Sequence, residues 1–372
     1  METLHRVQYL RGLAALLVVL SHALIKLDRI CEIQGWPPLG LRIDGTFGVD
    51  IFFVISGFLM CTTAAGEFGA AGAPGRFVLR RLIRIVPLFW LFIAVEVALR
   101  AIKPDAAGAS FGPIEVLLSL AFVPYGLEDG IFRPVVGLGW SLDYEMFFYA
   151  LFACGLLFRR DLGLLLIGLA LAGLVGLGEV ARPSGTIGVA WTAPLLLEFL
   201  FGVILGRLFL LARERRWHLQ LRSPFLVSIG LVVLEQVAFP GTDTAALGWR
   251  PLHWSVAVLI VALNAFPAPD RSFEGAVFGR LLRAVGDSSY SLYLGHGLVL
   301  TATARIWITL GFGREWLAVY FVLAVLATLP AAWLLYLTVE KPVGRWLTAR
   351  LVRPHSEASR RIDAAQSLRP VA

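Results

Sequence analysis

One arginine, Arg11, and one histidine, His22, stand in an apolar stretch that runs from Val7 to Ala23. At 100° per residue, their spacing of 11 positions amounts to three helical turns plus about 20°, so both side chains would share one helix face. Exposing either side chain to lipid would cost several kcal/mol, so this face must line protein or water. An imidazole there can serve as a general base or a nucleophile, and it can also belong to a transporter's proton relay.

An acidic residue, Asp50, stands in the second apolar stretch, within GVDIFFVISGFLM. A carboxylate in the outer half of a membrane needs a partner, and His22 on the preceding helix is the candidate. Asp50 would then orient the imidazole for catalysis. The alternative is that Asp50 caps the start of its helix.

Arginines gather at the start of the third apolar stretch, in RFVLRRLIRIVP. Arg76, Arg80 and Arg84 repeat every four residues along one helix face, with Arg81 beside them. Clustered guanidinium groups bind phosphates bidentately, so the phosphates of coenzyme A or of a lipid are candidate ligands. The alternative is that these charges only mark the cytoplasmic side of a membrane protein.

The fourth apolar stretch begins GLGWSLDYEMFFYALF. Ser141 and Glu145 are four residues apart and would share a face just inside the outer boundary. Glu145 is a candidate catalytic carboxylate, or else it makes a hydrogen bond between helices. Trp140 is a candidate substrate contact, although anchoring at the membrane interface is the commoner role of tryptophan.

The ninth apolar stretch contains GDSSYSLYLGHGLVL, in which Ser289, Tyr293 and His296 lie on one stripe. Tyr293 and His296 are candidate binding residues near the cytoplasmic end, while a helix–helix hydrogen bond is the alternative for His296. At the end of the tenth stretch, Glu340 is expected to pair with a cytoplasmic arginine.

The composition indicates which elements must position these residues. Of 372 residues, 58% are hydrophobic and 16% are charged, against about 45–50% and ~25% in a soluble domain. The chain is therefore predicted to be an all-α polytopic membrane protein. Ten stretches approach the ~17–25 residues of a membrane helix, namely 7–27, 46–64, 82–101, 140–158, 162–180, 190–211, 223–239, 252–268, 288–310 and 316–338.

The loop charges support ten spans with both termini in the cytoplasm, because most of the 33 Lys and Arg residues then fall on the cytoplasmic side. The stretch 113–124 is too short to cross and is predicted to be re-entrant or interfacial. We expect residues 1–350 to form one membrane domain and residues 351–372 a disordered cytoplasmic tail.

Two classes of ligand are not expected. Cytoplasmic loops explain the net charge of +7, so no nucleic-acid partner is predicted. The three cysteines are isolated and the six histidines show no HxxxH or HExxH spacing, so no metal site is predicted either.

Taken in order, these motifs resemble the acyltransferase 3 family of membrane acyltransferases, over residues 1 to about 350. The resemblance rests on Arg11 and His22, GVDIFFVISGFL, RRLIRIVP, WSL-x-x-E at 140–145, SYSLYLGH at 289–296, and Glu340-Lys341-Pro342. Within that family, the chain is most similar to bacterial exopolysaccharide O-acetyltransferases of the succinoglycan type.

The resemblance implies a ten-helix enzyme of the bacterial inner membrane. Such an enzyme moves an acyl group, usually acetyl from acetyl-CoA, to a hydroxyl of a surface polysaccharide or lipid-linked oligosaccharide. The expected partners are therefore acyl-CoA, a carbohydrate acceptor, membrane lipid and the polysaccharide assembly machinery.

The residues and the resemblance together predict a site with two ends. At the cytoplasmic end, Arg80, Arg81 and Arg84 would bind the phosphates of the donor, and Tyr293 and His296 would meet the donor as well.

At the outer end, His22 would take a proton from the sugar hydroxyl or briefly hold the acyl group, oriented by Asp50 or Glu145. Ser141 would donate a hydrogen bond to the developing oxyanion.

Two other classes of protein stay open from the residues alone. A transporter would use the intramembrane charges to move a small molecule or glycan precursor without consuming acetyl-CoA. A scaffold subunit of an export complex would leave the acyl content of the product unchanged when His22 is replaced.

Overall fold

The computed structural model describes residues 3–102, 111–128, 131–132, 134–215, 224–239, 248–266 and 277–352. The helices in these ranges are α1 (Thr3–Ile33), α2 (Thr46–Thr63), α3 (Ala73–Ile102), α4 (Pro113–Leu120), α5 (Gly139–Gly155), α6 (Arg160–Ala181), α7 (Thr186–Trp191), α8 (Leu196–Glu214), α9 (Pro224–Ala238), α10 (Pro251–Ala265), α11 (Val277–Asp287), α12 (Ser289–Thr309), α13 (Leu317–Leu335) and α14 (Lys341–Leu347).

Short irregular elements complete the fold. The strands β1 (Leu127–Glu128) and β2 (Ile131–Phe132) pair antiparallel before α5. A 3₁₀ turn, Arg314–Trp316, leads into α13, and π-helical turns Tyr336–Glu340 and Thr348–Val352 follow α13 and α14.

The prediction of an all-α multi-pass membrane protein is confirmed. Six helical segments in the described part of the chain are long and apolar enough to cross a membrane. Each of the ten predicted spans falls on a helix, and 190–211 falls on two, α7 and α8. Of the others, α5, α9 and α10 have only 17, 15 and 15 residues. The count of ten spans and the cytoplasmic termini therefore stay predictions.

Two further predictions concern short or terminal segments. The stretch 113–124 forms α4, which has 8 residues and is too short to cross a bilayer. The predicted disordered tail, 351–372, lies outside the described residues except for its first two positions.

Close contacts between glycines bring the central helices together. A Cβ on Gly57 of α2 would lie 2.2 Å from the carbonyl oxygen of Phe199 in α8, and one on Gly202 would lie 2.2 Å from that of Val54. Only glycine permits this approach, which is typical of helix pairs in membranes. The glycines therefore fix α2 against α8 in the centre of the fold.

A similar glycine contact determines where the site residues of α1 lie relative to those of α12. Gly12 lies against Gly286 at the end of α11. Ten residues further along each chain segment, the rings of His22 and His296 are in contact. Helices α1 and α12 therefore run side by side in the same direction, with these two histidines at one depth.

Candidate active site

A pocket with a cavity volume of about 80 Å³ opens between α1, α2, α3, α5 and α12. One wall is apolar and comes mainly from α2. The other walls carry arginine, serine, tyrosine and glutamate side chains. A mostly apolar cavity with a few convergent polar groups is the usual form of a ligand site.

Three arginines line the pocket: Arg11, Arg81 and Arg84. The guanidinium carbon of Arg81 lies 5.4 Å from the ring centre of Phe77 and 5.6 Å from that of Tyr149, and its buried Nε has no hydrogen-bond partner among the described residues. Arg84 is exposed. Guanidinium groups concentrated in this way can bind an anionic ligand such as a phosphate.

Arg80 lies apart from these arginines, contrary to the prediction that it acts with them. It donates to both carboxylate oxygens of Glu67, at 2.6 and 2.7 Å. It is not among the described residues that line the pocket. The next residue in the helix points about 100° away, which is why Arg81 lines the pocket while Arg80 pairs with the preceding loop.

Glu145 also lies elsewhere than predicted. It lines the pocket together with the three arginines instead of standing beside His22. Tyr149, one turn further along α5, donates a very short hydrogen bond to Glu145, and Ser56 donates another at 3.4 Å. Sequence reasoning missed Tyr149, although its position four residues after Glu145 is the spacing of helix neighbours.

Ser141 and Tyr293 meet at the other end of the pocket. Their hydroxyl oxygens are 2.8 Å apart, and Tyr293 also donates to the carbonyl oxygen of Leu138 at 3.3 Å. Trp140, the neighbouring candidate, does not belong to the described lining of the pocket. Its ring packs against Phe53 and Tyr144 with centroid distances of 6.5 and 6.3 Å.

His22 and His296 form a pair, although the sequence placed them toward opposite ends of the membrane. Their ring centroids are 5.1 Å apart, at an interplanar angle of 63°. The two histidines lie at the same depth because α1 and α12 run parallel and side by side. Residue spacing within a single helix cannot predict the relative depth of two helices. Tyr293 lies one turn away, with its ring centroid 6.5 Å from that of His296.

Contacts with backbone carbonyl groups determine which ring nitrogen of each imidazole carries the proton. His22 Nδ1 lies 2.9 Å from the carbonyl oxygen of Val18, and His296 Nδ1 lies 3.0 Å from that of Leu292. A carbonyl oxygen only accepts, so each neutral imidazole carries its proton on Nδ1 and a lone pair on Nε2. The buried Nε2 of His296 has no hydrogen-bond partner among the described residues. Each ring can therefore receive a proton on Nε2.

Asp50 does not contact His22, which corrects the predicted pairing. Its Oδ2 lies 3.7 Å from Nη2 of Arg250, and the described part of the chain contains no ion pair between Asp50 and His22. It does not cap α2 either, because Asp44 accepts from the backbone N–H groups of Thr46 and Phe47. The sequence could not reveal this partner, since Arg250 lies two hundred positions away.

Asp50 belongs to what we call the acid cluster, a buried group that sequence analysis did not identify. Its members are Asp44, Asp50, Glu198, Glu235, Arg250 and His253. Arg250 contacts Asp44, and His253 Nδ1 donates to Glu235 at 2.5 Å. The two basic groups of the cluster are therefore Arg250, the N-cap residue of α10, and His253 within α10.

The acid cluster also contains an arrangement that could hold a metal ion. Ligand atoms of Asp44, Glu235 and His253 all lie within 4.8 Å of one another. Arg250 and His253 already satisfy the two carboxylates, however, so these side chains are paired without an ion. The predicted absence of a metal stays a prediction.

Glu340 lies in the π-helical turn after α13, where it accepts a hydrogen bond of 2.5 Å from Ser291. The predicted ion pair with a cytoplasmic arginine is not formed among the described residues. Ser291, two residues before the pocket residue Tyr293, takes the place of that arginine.

Comparison with known proteins identifies the family. The family model described as an acyltransferase domain matches residues 4–337. The exopolysaccharide production protein ExoZ of Rhizobium meliloti is 32% identical over 83% of this chain and 92% of its own length. The acyltransferase MdmB of Streptomyces mycarofaciens is 27% identical over 92% of each chain.

A third relative, the peptidoglycan O-acetyltransferase OatA of Listeria monocytogenes, is 26% identical over 81% of this chain and 51% of its own length. No solved structure matches the chain. The resemblance that the motifs predicted is confirmed by the family match and by the exopolysaccharide relative. The chain belongs to the acyltransferase 3 family of membrane proteins, and it is an acyltransferase.

Proposed function

We propose that this protein transfers an acyl group, most simply acetyl, from acyl-CoA to a hydroxyl of a surface or exported carbohydrate. The acceptor would be an exopolysaccharide or a lipid-linked oligosaccharide. The single observation that carries the proposal is a pocket with arginines along one wall and an imidazole pair one helical turn beyond its other end.

The donor would enter from the arginine side. The phosphates of acyl-CoA would bind Arg81 and Arg84, and Arg11 would supply further positive charge deeper in the pocket. Glu145, held by Tyr149, would keep the guanidinium groups apart and oriented. The thioester would then lie along the apolar wall that α2 provides.

The chemistry would take place at His22. Its Nε2 lone pair would accept the proton of the sugar hydroxyl while the hydroxyl oxygen attacks the thioester carbonyl carbon. The carbon–sulfur bond breaks, and the thiolate of CoA leaves and takes up a proton. In a second route, His22 itself attacks first and carries the acyl group to the sugar.

Other groups would assist this step. Ser141 would donate a hydrogen bond to the oxyanion that forms on the thioester carbonyl. His296 would lie behind His22 as a second proton acceptor, because its Nε2 is free of other partners among the described residues.

A membrane location with access from both sides suits this reaction. We propose ten spans in the bacterial inner membrane with both termini in the cytoplasm, where acyl-CoA is available. The names of the relatives ExoZ and OatA support a cell-surface carbohydrate as acceptor. Membrane lipid and the assembly machinery of the polysaccharide would be the remaining partners.

Radiolabel transfer tests the proposal. Inverted membrane vesicles from a deletion strain that expresses the protein are supplied with acetyl-CoA labelled in the acetyl group. Label is expected in the carbohydrate fraction, released by mild base as acetate. The control is Arg29→Gln, an exposed residue that pairs with Glu32. No base-labile label with normal protein in the membrane would refute the proposal.

A further inference from the structure

Two aromatic rings, Phe52 of α2 and Tyr293 of α12, lie together in the lining of the pocket. Their centroids are 6.0 Å apart and the rings meet edge to face, at 71°. Beside them, Val49 and Leu142 provide apolar surface. This part of the pocket is therefore an apolar recess bounded by two rings.

Tyr293 is held in place on one side of this recess. Its hydroxyl is 2.8 Å from that of Ser141, and it also donates to Leu138. Its ring is buried, and its centroid lies 6.5 Å from that of the His296 ring. Moving Tyr293 would break buried hydrogen bonds, so this wall of the recess is rigid.

Phe52 forms the other wall of the recess. Because its side chain carries no hydrogen-bonding group, it can be truncated without loss of a hydrogen bond. Its ring is half-buried, meets the ring of Tyr293 edge to face and packs against buried apolar residues. In a well-packed site, even one additional methylene group must displace such a ring.

We propose that Phe52 and Tyr293 flank the part of the donor pocket that receives the acyl chain and restrict the transferred acyl group to a short chain, with acetyl preferred over butyryl. This inference rests on the proposed function, because it assumes that the thioester of acyl-CoA occupies the pocket. The acyl methyl group would contact the two rings, with the thioester carbonyl near Ser141. A longer chain has no space unless the ring of Phe52 moves.

The test compares donors of different length. Inverted vesicles that contain wild-type protein, Phe52→Ala or the control Phe209→Ala are given acetyl-, propionyl- or butyryl-CoA at equal concentration. Base-labile acyl groups on the carbohydrate are then quantified by mass spectrometry. Phe209 is a matched control because its half-buried ring packs against Phe58 and Phe266, outside the described pocket lining.

The expected result is a change in preference. Wild type and Phe209→Ala should favour acetyl over propionyl by about tenfold and over butyryl by more, as a tight apolar pocket does for each methylene. Phe52→Ala should raise the ratio of butyryl to acetyl transfer by at least about tenfold. Because the ratio is measured within one preparation, loss of folded protein does not affect it.

Three outcomes would count against the proposal, and they can be told apart. If wild type transfers butyryl as readily as acetyl, the rings do not limit chain length. If Phe52→Ala keeps the wild-type ratio, the limit lies elsewhere and the proposed function stands. If wild type transfers no acyl group from any donor, the proposed function itself fails.

Discussion

The arginine-lined pocket and the acid cluster use the same kinds of residue in opposite ways. In the pocket, three guanidinium groups and the carboxylate of Glu145 face an open space, and among the described residues Arg81 packs on the rings of Phe77 and Tyr149 and forms no ion pair. In the acid cluster, Arg250 contacts Asp44 and lies 3.7 Å from Asp50, with side chains 1 to 6% exposed.

The surroundings of the charged groups distinguish a ligand site from a structural network. In the acid cluster, Arg250 and His253 are each bound to a buried carboxylate, and removing either base would leave a buried acid without its partner. In the pocket, three arginines face one carboxylate, and this excess of positive charge beside an open space can bind an anion. The histidines follow the same rule, since His253 is bound to Glu235 whereas Nε2 of His296 has no partner in the described structure.

Replacement of Arg250 should have the largest effect on stability. Arg250→Met leaves the buried carboxylates of Asp44 and Asp50 without their cation, which typically costs about 3–5 kcal/mol. We expect a marked loss of folded protein, measured as thermal unfolding of the purified protein in detergent. The KM for acetyl-CoA of the protein that does fold should not change. Unaltered stability would show that the cluster is not the structural element described.

Replacement of Arg81 should weaken donor binding. Arg81→Gln removes a charge-assisted contact to phosphate, worth about 1.5–3 kcal/mol or roughly 10- to 100-fold. We expect this as a rise in the KM for acetyl-CoA in vesicles, with a smaller change in kcat. Thermal unfolding should be close to wild type. A lower kcat at unchanged KM would instead place Arg81 away from the donor.

Replacement of Tyr149 should have a moderate effect. Tyr149→Phe removes the hydroxyl that donates to Glu145, and a hydrogen bond of this kind contributes about 1 kcal/mol, or roughly fivefold. We expect a change of that size in kcat/KM for acetyl-CoA, with the apolar packing of the ring kept. A double variant with Glu145→Gln should then lose little more than Glu145→Gln alone. Fully additive losses would show that Tyr149 does not act through Glu145.

Replacement of Arg80 should have the smallest effect, which would distinguish Arg80 from its neighbour Arg81 in donor binding. Its partner Glu67 is partly exposed, with 27% of the side chain accessible, and such pairs contribute about 0–1 kcal/mol. Arg80→Gln should therefore change the KM for acetyl-CoA by less than about threefold, an effect within that range. A rise in KM as large as that for Arg81→Gln would show that Arg80 also binds the phosphates of the donor.

Much of this site could be predicted from residue spacing within single helices. The shared face of Arg11 and His22, the four-residue spacing of Ser141 and Glu145, and the stripe with Tyr293 and His296 all follow from 3.6 residues per turn. The apolar stretches predicted the helices for the same reason. Motif order was sufficient to identify the family.

Contacts between helices could not be predicted in the same way. The pairing of His22 with His296 depends on Gly12 and Gly286, which allow α1 to lie level with the start of α12. The partner of Asp50 comes from α10, far along the chain. The first error concerned how deep one helix sits relative to another, and the second concerned which helices are neighbours; periodicity within a helix contains neither kind of information.

The most direct test of the contrast compares two histidines under the same substitution. Acetyl transfer to carbohydrate is measured per folded protein for His22→Gln and His253→Gln in the same vesicles. If the account is correct, His22→Gln is folded and loses about 10²- to 10⁴-fold in rate, as for removal of a general base. His253→Gln should be less stable, with normal activity per folded molecule. Full activity of His22→Gln, or a folded but inactive His253→Gln, would contradict the account.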